Sequence, residues 1–349
     1  MRYIVAVEGT VDTSQFWPRG TSDADTIKLD ISRGGFYYGT FDAEELAYTE
    51  VFEGAYCLVE DDRVRPLISR KRIVDIRLQG VDAPELHLPI EMEGLPSEHY
   101  RQFFGKTASV KLLKGLGGPD QILPCQVWSY VDSPGDLFDA YGRLIGDVFI
   151  KPGTAGEFHV NSWLVEKGHA VPTFYASMQP EEIAYLRELA RRALKARRGL
   201  WEYLISRVRR TDLKLRFRYS DRIFDQAKDI GPVLFPKVFR RAARWMAALK
   251  DGTIEPDTPF RDYLISQPPV VFTFTDDFLN HGPFSMIPRY YLEDVISQGG
   301  SLDILPMDAV FYEVPSRIYD RNGNEIRAFE ENPPGLLLRT VKVLRILGK

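Results

Sequence analysis

Two cysteines in 349 residues, Cys57 and Cys125, are too few for a disulfide framework, and neither stands in a Cys-x-x-Cys pair. A reduced compartment fits that usage, with a single disulfide left open. The five histidines, His87, His99, His159, His169 and His281, show no spacing that would hold a transition metal. No stretch approaches the roughly 20 apolar residues of a membrane-spanning helix. The opening run Tyr3-Ile-Val-Ala-Val is broken by Glu8, too soon for a signal peptide. A cytoplasmic chain without membrane contact is the expectation. Internal repeats and low-complexity segments are also missing.

What is present suffices for real cores. Hydrophobic residues make up 44% of the chain and aromatics 12%, which excludes wholesale disorder. The length predicts two domains. A net charge of −4 seems to argue against a polyanionic partner, but its distribution does not. Residues 181–250 carry 19 Lys or Arg against 8 Asp or Glu, a local +11, so the remainder sums to −15. A basic segment in an acidic chain is a candidate phosphate-facing surface, and equally a solvated helix face.

The chemistry concentrates in Arg77-Leu-Gln-Gly-Val-Asp82-Ala-Pro84-Glu85. Val74, Ile76 and Leu78 alternate as a half-buried strand does, and Pro84 ends the ladder because it has no N–H to donate. Asp82 and Glu85 are thereby presented at a strand end, rigidly supported and within reach of solvent. A guanidinium, hard oxygen ligands and a general base within nine residues suit phosphodiester chemistry. Alone, such a segment is usually only a turn.

Three further stretches accompany it: Asp23-Ala-Asp25-Thr-Ile-Lys-Leu upstream, Tyr141-Gly-Arg143-Leu-Ile-Gly-Asp-Val downstream, and Val160-Asn161-Ser-Trp-Leu-Val-Glu-Lys-Gly-His-Ala before a long basic helix closed by Arg198-Gly-Leu-Trp201. In this order they resemble the staphylococcal nuclease (thermonuclease) family over about residues 1–203. The resemblance implies an α+β fold: a five-stranded OB-type barrel with three helices. It implies a calcium-dependent nuclease acting on DNA or RNA, cleaving on the 5′ side of phosphorus; stacking by Tyr141 and Tyr175 would favour single-stranded or frayed substrates. Residue by residue, it makes Asp25 and Asp82 calcium-binding carboxylates and Ala83 a carbonyl ligand where a threonine is usual, with Asp23 beside them. It makes Glu85 the general base or water organiser. Arg77 and Arg143 become the guanidinium pair that grips the phosphate, and Tyr141 and Tyr175 the aromatics flanking the nucleotide. Relatives that serve only as binding scaffolds tend to have lost several of these residues; here all five of the charged ones keep their type.

Two departures stand out. An insert at about 31–70, rich in Tyr, Phe and acids, either extends the barrel strands or caps them. The C-terminal segment, 205–349, reads as an α+β accessory domain of unknown role, and the domain boundary is placed at 204. Here strands are expected over 207–229, 270–275 and 309–312, an amphipathic helix over 235–249, a hairpin turn at Asn322-Gly323, and helix or strand over 336–347. A helix is also expected over 97–115, another over 160–168 ending at Gly168, and a third from Pro180. Two rival readings stay open: a catalytically silent nucleic-acid or protein binding module, and a nuclease held in check by its own C-terminal domain. A regulatory protein partner or self-association through that domain is likewise left open.

Overall fold

The structure, a computed structural model, describes residues 2–59, 63–203, 236–282, 286–296, 302, 304–313, 316–329 and 340–342. The strand expected over 207–229 lies outside the described residues. Five strands, β1 (Tyr3–Asp12), β2 (Thr26–Thr40), β3 (Ile73–Leu78), β4 (Ile122–Val131) and β5 (Leu144–Ile150), close on one another as a mixed barrel. β1 pairs with β4 and β2, β4 with β5, and β2 with β3, all antiparallel. The closure between β5 and β3 is parallel, Leu144 opposite Ile76. This is the OB-type α+β barrel that the resemblance implies.

Alternation builds it. Along β3, Val74, Ile76 and Leu78 are buried while Asp75 and Arg77 turn the other way. β1 is apolar on both faces because both are covered. Val5, Val7 and Val11 join the main core, and Ile4 and Ala6 meet Tyr37, Leu46, Trp128 and Phe149 in a second cluster. The insert extends the sheet: β2 runs on to Thr40, and Glu45–Thr49 pairs against its Phe36–Tyr38. Tyr56–Val59 and Arg63–Pro66 form a further hairpin. Cys57 and Cys125 are both buried and free.

Three helices pack around the barrel: α1 (Gly105–Gly115), α2 (Val160–Glu166) and α3 (Pro180–Lys195). α1 starts later than the sequence suggests. Residues Leu95–Tyr100 instead pair with Leu88–Met92 in a hairpin turned at Gly94, where φ is 67°. Pro96 disfavours helix for the residue before it, and the glycine turn sets the direction. α2 ends as expected at Gly168, at φ 67°, where a Cβ would lie 2.2 Å from the Arg198 carbonyl oxygen. That close approach seats the Arg198-Gly-Leu-Trp201 turn, whose Trp201 is fully buried. Asn161 does not cap α2. Its amide is buried and ties Val148, Gln79 and Gly146 together, locking the end of β3 to β5.

Beyond residue 235 the expected amphipathic helix is α4 (Pro236–Asp251), burying Val238, Phe239, Ala242, Ala243 and Ala247. It packs on the Leu88–Met92 hairpin and on Phe260–Ile265. Val271–Phe274 and Ala309–Phe311 pair as strands, and Gly323 makes its turn at φ 85°. The C-terminal strands enter the N-terminal sheets: Ala309–Phe311 pairs with Phe174–Tyr175, Ile318–Tyr319 with Tyr56–Cys57, and Thr340–Lys342 with Glu45–Ala47.

Candidate active site

The acids gather where β2 begins and β3 ends. The Asp25 carboxylate accepts the Ala83 N–H at 3.1 Å, and the Asp23 carboxylate accepts the Leu86 N–H at 3.2 Å. These two bonds fold the segment after β3 back over the start of β2. Asp82 is buried, held in a short pairing with Val171. The Glu85 backbone is clamped at both groups, its N–H donating to the Gln102 side chain and its carbonyl accepting the Gln102 N–H. Burial pushes the Glu85 carboxyl up to about 7 against the pull of Arg240, with Asp82 and Asp25 adding to the rise. Burial also raises Asp23, where Glu85 and Asp25 contribute, and Asp25, where Asp82 does. A carboxyl titrating near neutrality is well matched to taking a proton from water.

The guanidinium half lies alongside. Arg77 stands opposite Thr26 on β2. Arg143 sits just past a turn in which Asp139 accepts the backbone N–H groups of Tyr141 and Arg143. Asp139, itself buried, also accepts Arg143 Nε at 2.8 Å and stands 3.8 Å from an Arg77 nitrogen. One buried carboxylate thus sets the two arginines side by side. The Thr26 hydroxyl joins the halves, 3.4 Å from both Asp25 Oδ1 and an Arg143 nitrogen. Tyr141 is 43% exposed, with the Arg143 guanidinium 5.6 Å from its ring centre. Tyr175 is less open: it is buried in a strand pair with Phe311, and its hydroxyl accepts a bond from Arg77.

All nine residues singled out in the sequence, Asp23 included, therefore lie at one mouth of the barrel or against it. Asp139, Lys237, Arg240 and Glu313 were not among them. The Arg240 guanidinium, carried by α4, pairs with Glu85 and reaches both Asp82 oxygens at 3.3 Å. One turn earlier, Lys237 lies 5.0 Å from the Tyr175 ring centre and 3.3 Å from Glu313. The sequence makes the cations of residues 181–250 a candidate phosphate-facing surface or a solvated helix face. The structure corrects this for three of them: Lys237 and Arg240 face Tyr175 and the acids, and Arg187 is buried and pairs with Asp276 and Asp308. Arg191, Arg192, Lys195 and Arg197 on and after α3 stay exposed. The +3/+4 spacing of Lys237, Arg240, Arg241 and Arg244 beside an apolar stripe was the available signal, but it does not say what that edge faces.

Residues 75–203 match the model of a family described as staphylococcal nuclease homologue. The chain carries a staphylococcal nuclease homologue domain. That domain contains Arg77, Asp82, Glu85, Arg143 and Tyr175, while Asp25 precedes the matched span. Over 126 residues the chain is 29% identical to the "Probable staphylococcal-like nuclease CAN2" of Oryza sativa subsp. japonica. The match covers 36% of this chain and 25% of that relative's length. The matched span ends at Tyr203, and α4 lies outside it.

The calcium ion that the family implies can be tested against this donor set. Asp25, Asp82 and the Ala83 carbonyl offer hard oxygens of the kind calcium takes. Among the described residues no group of three or more His, Cys, Asp or Glu is gathered at metal-holding spacing. Arg240 holds the ground between Asp82 and Glu85. The residues fit the ion by chemistry, and in this arrangement a guanidinium already satisfies part of them.

Proposed function

We propose that this staphylococcal nuclease homologue domain hydrolyses phosphodiester bonds of DNA or RNA in a calcium-dependent reaction. The observation that carries the reading is the Thr26 bridge, which draws an acid cluster and an arginine pair, far apart in sequence, to one barrel mouth. A phosphodiester resists hydrolysis because water is a weak nucleophile and the transition state is crowded with negative charge. Glu85 takes a proton from water as its oxygen attacks phosphorus, and the P–O bond on the opposite side breaks, the leaving oxygen keeping the electron pair and taking a proton from solvent. Arg77 and Arg143 hold the non-bridging oxygens, each with a planar fork that stays charged at any working pH. Asp139 keeps both forks aimed. Asp25, Asp82 and the Ala83 carbonyl would hold calcium, which supplies further positive charge to the phosphate. Tyr141 offers an exposed face for an unpaired base, and the α3 cations hold the backbone without regard to sequence.

Incubation of plasmid, single-stranded DNA and RNA with the intact chain, in calcium and in chelator, tests this. Cleavage in calcium that chelator removes is the expected result. Intact substrates with retained binding would support the rival reading, a binding module built on the same barrel.

A further inference from the structure

We propose that Arg240 is a built-in competitor of the divalent cation: a tethered guanidinium that occupies Asp82, one of the ion's two carboxylates, and pairs with the general base until calcium displaces it. The inference rests on the nuclease reading for its consequence, and on the geometry for its substance.

Arg240 makes contacts that a surface arginine does not. One nitrogen pairs with Glu85 and lies 3.3 Å from Asp82 Oδ1, while the other lies 3.3 Å from Asp82 Oδ2. The Asp82 side chain is 1% exposed and that of Glu85 11%, so the pairing takes place out of bulk water. There a charged hydrogen bond is stronger and an unpaired carboxylate costs more. A cation between these acids offsets that cost, and two candidates exist. Calcium is divalent and prefers hard oxygens. The guanidinium is monovalent but covalently tethered, so its local concentration does not fall on dilution.

The delivery is built into α4. Its apolar face, through Phe239, Ala242, Ala243 and Ala247, seats beside the hairpin that follows Glu85. Arg240 adjoins that face, so docking the helix and presenting the guanidinium are one event. Lys237, one turn before, covers the other flank of the site. Its ammonium stands 5.0 Å from the Tyr175 ring centre and 4.6 Å from that of Phe311, with Glu313 as counterion. The tyrosine that the family places beside the nucleotide is covered by this contact. With Arg240 on Glu85 Oε1, one oxygen of the base is taken from water; calcium at Asp82 would expel the guanidinium by charge.

Isothermal titration of calcium into the intact protein and into Arg240→Met and Arg240→Gln tests the competition without depending on turnover. Removal of the competitor should tighten calcium binding at least tenfold in both variants, with Arg240→Lys in between. Circular dichroism and the thermal midpoint establish that each variant is folded. Unchanged or weaker binding in both neutral variants overturns the proposal, as does failure of any of the proteins to bind calcium. The nuclease reading fails separately: tightened binding with no cleavage of any nucleic acid at saturating calcium leaves the competition standing and removes the activity. Loss of cleavage in Arg240→Met at saturating calcium, with calcium affinity unchanged, makes Arg240 part of the reacting site and overturns the competition.

Discussion

Asp139 shows how much one buried carboxylate can organise. It closes its own turn by accepting the Tyr141 and Arg143 N–H groups and holds the Arg143 side chain, with Arg77 at its edge. Asparagine keeps the turn but loses the charge that aligns the forks. Asp139→Asn is expected to lower kcat/KM by about ten- to a hundredfold, on the order of 1–3 kcal/mol for a lost charge-assisted bond. A variant that cleaves like the wild type would show that the arginines aim themselves. The role was only half legible. Asp139-Ala-Tyr-Gly-Arg143 announces a turn through Gly142, at φ 72°, and the same letters serve a bare hairpin equally well. The partnership with Arg77, 62 positions earlier, exists only through the parallel pairing of β3 and β5, which no local pattern encodes.

Elements were more legible than their faces. The period of α3 and α4 and the glycine stop of α2 could be read directly. The hairpin Leu88–Met92/Leu95–Tyr100 could not, because its turn at Gly94 competes with a helical pattern just downstream. For α4 the apolar stripe predicted burial correctly, while the destination of Arg240 depends on which hairpin receives the helix. The seam of α1 and α2 carries a pH signature. His169 lies against Phe104 and Trp163, its Nδ1 buried without a hydrogen-bond partner. Burial, with Lys111 and Lys167 nearby, pushes its pKa down to about 4. Near neutral pH and above, folded and unfolded histidines are both uncharged. As pH falls below about 6.5 the unfolded chain takes up the proton first. Stability is therefore lost between about 6.5 and 4, by up to about 3 kcal/mol, and levels off below. Urea unfolding at pH 7.5 and pH 5 should show a smaller loss for His169→Phe than for the wild type. Equal losses would mean that His169 titrates as if exposed.

At the scale of the molecule, strands from beyond the matched span pair with strands that precede it or lie within it. Ala309–Phe311, Ile318–Tyr319 and Thr340–Lys342 each supply a strand to N-terminal partners. Composition and motif order made the barrel legible, since the family pattern runs through β2, β3 and β5. The sheet contributions from beyond residue 300 carried no motif and span well over a hundred positions each, so pairing alone reveals them. Truncation after residue 203 exposes those edges and removes Arg240 together. The fragment should have a lower thermal midpoint than the intact chain; an equal or higher midpoint would show that the C-terminal strands contribute nothing to the barrel.

The central claim is that Glu85, beside Arg77 and Arg143, is the base of a phosphodiesterase. Single-turnover cleavage of a labelled oligonucleotide at saturating calcium, with binding measured separately, addresses it most directly. Glu85→Gln should cut the rate by about two to four orders of magnitude while leaving oligonucleotide affinity within a few fold. Cleavage by Glu85→Gln at the wild-type rate would contradict the account.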